Sequence, residues 1–138
     1  MIYKLKVKRP LQLLDVLLTH LPSNSLISFE GNLKNILVPE HLHSEIEQGL
    51  LKRSTQTPKQ DFWIFKLNEQ TKNYLKNDFL NRIGIKSNVL HILIEYNGAI
   101  VFSAFDCFDL DSVILTQTNS FNNEFVQDLY DKNLIGSL

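Results

Sequence analysis

The sequence predicts an α+β or α/β fold, in which a mixed, mainly antiparallel sheet is covered by about four helices. Two observations support this prediction. A strong hairpin pattern lies beyond the middle of the chain, and apolar residues recur at helical spacing in several segments on both sides of it. The length of 138 residues is typical of one domain, so we expect residues 1–138 to form a single globular domain.

The clearest predicted element is a β-hairpin at residues 89–105, at the centre of the sheet. Two apolar runs flank Asn97-Gly98, a dipeptide that readily adopts the two positive φ angles of a type I′ turn. Both faces of this hairpin are largely apolar, which indicates that helices or a partner cover the sheet on both sides. The two-residue loop predicts the following cross-strand pairs: Tyr96 with Ala99, Ile94 with Val101, Ile92 with Ser103, and Leu90 with Phe105.

The first half of the chain predicts an edge strand, a helix and a second strand. Residues 2–7 alternate apolar residues with lysines, which suits the edge of a sheet. Pro10 begins a helix whose leucines recur at helical spacing until Pro22. Residues 25–30 alternate again, and Pro39 is a candidate first residue of a further helix. In the alternating strand Ile27 and Phe29 point inward and Ser28 and Glu30 outward, and the candidate helix carries Leu42, Ile46 and Leu50.

The second half of the chain continues this pattern around the hairpin. Residues 52–60 are polar and predict a surface loop, and residues 61–67 contain the only tryptophan and predict a buried strand beside the hairpin. A helix from Asn68 to Gly84 follows. The strand–helix–strand order from Asp61 to Tyr96 would allow a parallel pair of strands. The remaining predictions are a short strand at 113–115 and a last helix, capped by Asn119 or Ser120, with Phe121, Phe125 and Leu129 inward.

Composition and charge argue against several classes of protein. The formal net charge of −1 does not suit a protein that mainly binds nucleic acid phosphates or an anionic membrane. No apolar run approaches the roughly 20 residues of a membrane span, and the N-terminus lacks a signal-peptide core. The single cysteine, Cys107, cannot form an intramolecular disulfide. We therefore expect a cytoplasmic protein without direct nucleic acid or membrane partners.

Motifs of catalysis and cofactor binding are missing from the sequence. It contains no nucleophile elbow, phosphate-binding glycine loop or dinucleotide fingerprint, so we expect no cofactor and no enzymatic activity. Two alternatives remain open. The chain could be a small enzyme that uses His91 and Glu95 in acid–base catalysis, or a regulatory module that binds a small ligand against the hairpin's second face.

An acidic, aromatic segment follows the hairpin. Asp106, Asp109 and Asp111 lie within six residues, with Phe108 between the first two. A calcium loop would need alternating oxygen ligands, a turn glycine and a distal bidentate acid, and this segment lacks that pattern, so we expect no metal. A solvated loop and a protein contact surface both remain possible. Aromatic rings beside carboxylates suit a contact with a cationic partner, and we predict that Asp106, Phe108, Asp109 and Asp111 bind one.

Three segments, TPKQDFWIFKL, HILIEYNG and AFDCFDLD, occur here in a small single domain. In this combination the chain resembles the immunity proteins of contact-dependent growth inhibition and other polymorphic bacterial toxins. The resemblance covers the general type of the chain and at most residues 57–111, and it transfers the role of no individual residue. It implies an inhibitor that binds the toxin domain of its own locus, often a nuclease with a cationic active site, and blocks that site.

Overall fold

The structure is a computed structural model that describes residues 1–33, 36–45, 47, 49–54, 59–85, 87–109 and 112–136. The fold class is α+β, as predicted, with a six-stranded sheet in the order β1-β7-β6-β5-β3-β4. Every neighbouring pair is antiparallel, and β2 pairs with β8 in a separate two-stranded sheet. The strands are β1 (Ile2–Lys4), β2 (Lys6–Val7), β3 (Leu26–Gly31), β4 (Asp61–Lys66), β5 (Val89–Tyr96), β6 (Ala99–Ala104), β7 (Ile114–Thr116) and β8 (Ile135–Gly136).

Three helices accompany the sheet in the described part of the chain, rather than about four. Helix α1 is Pro10–His20 and helix α3 is Asn123–Asp131. Helix α2 covers residues 69–82 and consists of an α-helical segment (Glu69–Tyr74), a π-helical turn (Leu75–Phe79) and a last turn (Leu80–Arg82). None of these helices is long and apolar enough to span a bilayer.

One face of the sheet and the three helices share the main hydrophobic core. This core contains the inward leucines of α1 and an aromatic cluster whose ring centroids lie 5.0–5.9 Å apart. The cluster consists of Phe29 on β3, Phe65 on β4 and Phe79 on α2. Burial of each phenylalanine stabilises the folded state by about 1.5–3 kcal/mol relative to an exposed one. The apolar faces of the helices and strands therefore hold this side of the fold together.

The other face of the sheet is covered by residues 49–54. Leu51 is fully buried there with Phe62 and Ile64, and Leu93 and Ile100 pack against them. Ser28 and Glu30 lie on this face, as predicted, but both are only 3% exposed. The prediction that they point to solvent was therefore wrong, because the covering chain excludes water from the outer face as well.

The helix predicted from Pro39 does not form in the described residues. Glu40–Leu42 is a single 3₁₀ turn, after which Ser44 pairs with the edge strand β4 through two backbone hydrogen bonds to Ile64 of 2.7 and 2.9 Å. Ile46 lies outside the described residues. Ser44 thus pairs with the open edge of the sheet. The backbone groups of an edge strand need hydrogen-bond partners, and here this need outweighs the helix propensity of the segment.

Strand β4 does not neighbour the hairpin, and the described strands form no parallel pair. Strand β3 lies between β4 and β5 and is antiparallel to both, so β4 and β5 run in the same direction without pairing. The last helix also begins later than predicted. Its N-cap is Asn122, whose Oδ1 accepts a hydrogen bond of 3.0 Å from the Phe125 amide.

The hairpin turn forms as predicted, but the register changes within three residues of it. Asn97 and Gly98 have φ angles of 54° and 79°, and Tyr96 pairs with Ala99. A bulge then leaves Val101 without an opposite residue. It lets Val101 and its neighbour Phe102 both point into the main core, which strict alternation forbids. The predicted pairs beyond the bulge were therefore wrong: Ile94 pairs with Phe102 and Ile92 with Ala104.

Candidate functional site: the acidic turn after the central hairpin

The acidic segment forms a left-handed turn at the end of β6. Asp106, Cys107 and Phe108 have consecutive φ angles of 52°, 58° and 63°. A left-handed conformation costs about 1–2 kcal/mol per residue for side chains other than glycine. Three such residues in sequence are maintained only where surrounding contacts determine the conformation, and strained backbone of this kind is concentrated at functional sites.

Hydrogen bonds from both hairpin strands and from Ser112 hold this turn. The Cys107 amide donates to the Leu90 carbonyl over 3.0 Å, and the Asp109 amide donates to the Phe105 carbonyl over 3.1 Å. The Ser112 hydroxyl donates to the Phe105 carbonyl over 2.6 Å and accepts from the Phe105 amide over 3.2 Å. The backbone of the turn is therefore fixed at its start, middle and end.

His91 supports the turn from strand β5. Its Nδ1 accepts a hydrogen bond of 3.3 Å from the Asp106 amide, and its ring centroid lies 5.0 Å from that of Phe105. The side chain is only 9% exposed. His91 therefore positions the turn, a role that no spacing in the sequence indicates.

The turn presents its acidic side chains to solvent. Asp106 and Asp109 are exposed, and Phe108 between them is half-buried and packs against the main core. The structure thus brings together three of the four predicted contact residues. The fourth, Asp111, lies outside the described residues.

Metal binding finds no support in the described residues. No group of three or more histidine, cysteine, aspartate or glutamate side chains is arranged there to hold an ion. Cys107 is a free, half-buried thiol within the left-handed turn. Its backbone conformation, rather than a reactive setting, is the unusual property of this cysteine.

His91 and Glu95 do not form a catalytic pair. They lie four residues apart on one strand, which separates them by about 13 Å, too far to share a proton. Glu95 Oε1 accepts a hydrogen bond of 2.6 Å from the Leu50 amide. Both side chains therefore have structural partners.

Two further carboxylates bind the same segment of backbone. Glu47 accepts a hydrogen bond of 3.0 Å from the Arg53 amide, and Glu30 accepts hydrogen bonds of 2.9 and 3.1 Å from the Ser54 amide. We call residues 49–54 the covering segment. It holds Leu51 over the hairpin's second face, where a small ligand was one alternative, and Leu51 fills that place.

Two other surface features escaped the sequence reasoning. Leu37 is 85% exposed, although its carbonyl is held by Arg82 Nη2 over 3.1 Å. A cleft of about 390 Å³ lies at the tip of the hairpin, between the end of α1 and residues 116–121. The sequence signal for the cleft was only a run of neutral polar residues after β7.

Comparisons with protein-family models, with curated proteins and with solved structures found no match to this chain.

Proposed function

We propose that this protein is an immunity protein, which binds a cognate bacterial toxin domain, such as a nuclease, and neutralises it by blocking the active site. The observation that carries the proposal is the left-handed turn of Asp106, Cys107 and Phe108, which holds exposed carboxylates on a fixed backbone. A fixed backbone lowers the entropy lost on binding, so a rigid acidic turn is suited to recognition.

The acidic side chains suit a cationic partner. The whole chain is nearly neutral, with a formal charge of −1, so its long-range field is small. At contact distance the carboxylates act locally, because screening at physiological salt extends over about 8 Å. Such a local field mainly increases the association rate. A nuclease active site, which binds phosphates, is a cationic surface of this kind.

Phe108 is the proposed anchor of the contact. Its ring packs partly against the main core, which orients it, while the remaining surface is open to a partner. Aromatic residues that are buried at the centre of an interface account for much of the binding energy. Loss of the ring should therefore increase the dissociation rate more than it changes the association rate.

The first experiment tests steering by the carboxylates. The partner is captured from the native host, its toxin domain is purified, and association rates are measured at low and high salt. We expect the triple variant of Asp106, Asp109 and Asp111 to asparagine to associate at least about tenfold more slowly at low salt, and to respond less to added salt. The control changes three exposed glutamates on other elements, Glu40, Glu69 and Glu124, to glutamine, with the same change of net charge.

An association rate for the aspartate variant equal to that of the glutamate control would overturn steering by the turn. A captured partner that is not inhibited in its activity would overturn the immunity function itself. For the anchor, Phe108→Ala should raise the dissociation rate, whereas Tyr130→Ala, at an exposed aromatic residue on α3, should not. Thermal unfolding of each variant checks that the effect is on binding.

A further inference from the structure

The cleft at the tip of the hairpin has the composition of a binding site for a small uncharged molecule. Its floor is apolar and contains Leu21, Val101 and Phe121, each at most 3% exposed. Its rim is polar and contains Tyr96, Asn97 and Gln117. The volume of about 390 Å³ lies at the small end of the range for ligand pockets, about 300–1,000 Å³.

Polar side chains on the rim are free to bind a ligand. Among the described residues, no hydrogen bond of the protein uses the Tyr96 hydroxyl or the side-chain amides of Asn97 and Gln117. Asn119 and Ser120 add a further amide and a further hydroxyl to the rim in the same state. The rim therefore offers several donors and acceptors that a ligand does not have to separate from protein partners.

The backbone that carries these side chains is fixed. The Gln117 amide donates to the Met1 carbonyl over 2.9 Å, and the Thr118 amide donates to the Phe121 carbonyl over 3.0 Å. On the opposite wall, the Asn97-Gly98 turn holds the hairpin tip. The cleft is thus preformed, and ordering its walls would take little from the free energy of binding.

Charge restricts the class of ligand. Among the residues that the structure describes, no lysine, arginine, histidine, aspartate or glutamate lines the cleft. A phosphate or carboxylate would lose water there without gaining an opposite charge, which is unfavourable. A ligand with one apolar face and several hydroxyl or amide groups matches both the floor and the rim.

We propose that this cleft binds a neutral sugar, of the hexose or N-acetylhexosamine class. A side-chain amide offers a donor and an acceptor side by side, which match two adjacent hydroxyls that each donate and accept. The Tyr96 ring, 37% exposed at the rim, offers an apolar surface to the C–H face of a sugar ring. This site lies at the opposite end of the hairpin from the acidic turn and is independent of the immunity proposal.

Nuclear magnetic resonance titration of the labelled protein tests the proposal. The probes are glucose and N-acetylglucosamine, with glucuronate and glucose 6-phosphate as their charged counterparts. We expect saturable shifts at residues 96–101 and 116–121 with a neutral probe, and weaker binding of the charged ones. Tyr96→Ala and Gln117→Ala should each raise Kd about tenfold, the equivalent of 1.4 kcal/mol. The controls Tyr130→Ala and Gln70→Ala, at exposed positions outside the cleft, should leave Kd unchanged.

Three results would overturn the proposal. The first is the absence of a saturable shift at roughly 10 mM probe, about ten times a Kd of 1 mM. The second is equal binding of the neutral and charged probes, and the third is a Kd that the two cleft variants do not change. The changed side chains are exposed, so each variant should fold. The spectra show directly whether it does.

Discussion

Glu95 Oε1 lies 2.6 Å from the backbone nitrogen of Leu50 and accepts its hydrogen bond across the second face of the sheet. Glu30 and Glu47 also accept hydrogen bonds from backbone amides of the covering segment. All three carboxylates therefore hold the backbone of this segment. Hydrogen bonds to charged acceptors are stronger than those to neutral ones, which suits these carboxylates to holding irregular backbone. The glutamates on this face are part of the fold.

The covering segment is expected to contribute to stability mainly through one side chain. Leu51 is fully buried, whereas its neighbour Leu50 is 49% exposed. Leu51→Ala should lower the free energy of unfolding by about 2–4 kcal/mol, because it removes buried methyl groups and leaves a cavity. Urea denaturation measures this difference. Leu50→Ala is the matched control and should change stability by no more than about 0.5 kcal/mol; equal effects of the two would contradict the packing described.

The hairpin turn requires glycine at position 98 for its backbone and not for space. Gly98 has a φ angle of 79°, and apart from the residue itself and its two chain neighbours no described atom lies within 4 Å of the position a Cβ would occupy. Gly98→Val should therefore destabilise the protein by about 1 kcal/mol or more through strain alone. Gly98→Asn should cost less, since asparagine tolerates positive φ. Thermal unfolding compares the two, and an unchanged melting temperature for the valine variant would argue against a type I′ turn.

Local signals predicted the parts of the fold that depend on neighbouring residues. The Asn97-Gly98 turn and the helix that begins at Asn68 are examples. Predictions that depend on segments distant in the sequence were wrong, or the feature was missed. The bulge at Val101 exists because the core accepts two successive side chains, and β3 separates β4 from the hairpin because of sheet topology. The hydrophobic periodicity of a single strand predicts neither the bulge nor the strand order.

The candidate site shows the same division. The sequence placed the acids of the turn next to Phe108, and the structure keeps Asp106 and Asp109 exposed there. It could not indicate the left-handed backbone, because aspartate, cysteine and phenylalanine have no common preference for positive φ. The contacts that impose this conformation come from His91, 15 residues earlier, and from Ser112 after the turn.

Position 107 should respond to substitution according to backbone conformation. Cys107 has a φ angle of 58°, which asparagine tolerates and valine strongly disfavours. We expect Cys107→Val to be less stable than Cys107→Asn by about 1–2 kcal/mol, although valine is the closer match in polarity. Chemical denaturation of both variants measures the difference. A valine variant as stable as the asparagine variant would show that the turn is not left-handed at this residue.

Ser112 is predicted to maintain the turn through its hydroxyl. It donates to the Phe105 carbonyl and accepts from the Phe105 amide, so Ser112→Ala leaves both groups without this partner. We expect a loss of about 1–2 kcal/mol and faster amide hydrogen exchange at residues 105–109. Ser103→Ala, at a half-buried serine on β6, is the control. Unchanged exchange in the turn would mean that the remaining hydrogen bonds suffice to hold it.

Tyr74 is expected to make stability depend on alkaline pH. Burial raises the pKa of its hydroxyl above the usual value of about 10, and Asp78 adds to the increase while Arg82 opposes it. The unfolded chain then releases this proton at lower pH than the folded protein, so the stability contributed falls as pH rises through about 10. Tyr74→Phe removes this dependence.

At neutral pH the same substitution should lower the stability of the protein. The Tyr74 hydroxyl accepts a hydrogen bond of 2.9 Å from Arg82 Nη2, and its loss should cost about 1 kcal/mol. The parent should therefore be more stable than Tyr74→Phe near neutrality, and the gap should narrow as the pH rises above about 10. The pKa of Lys72 is lowered by burial and by Lys76, but Lys72 is present in both proteins, so its effect largely cancels. Urea midpoints at each pH measure the gap, and a gap that stays constant would contradict the burial of the phenol.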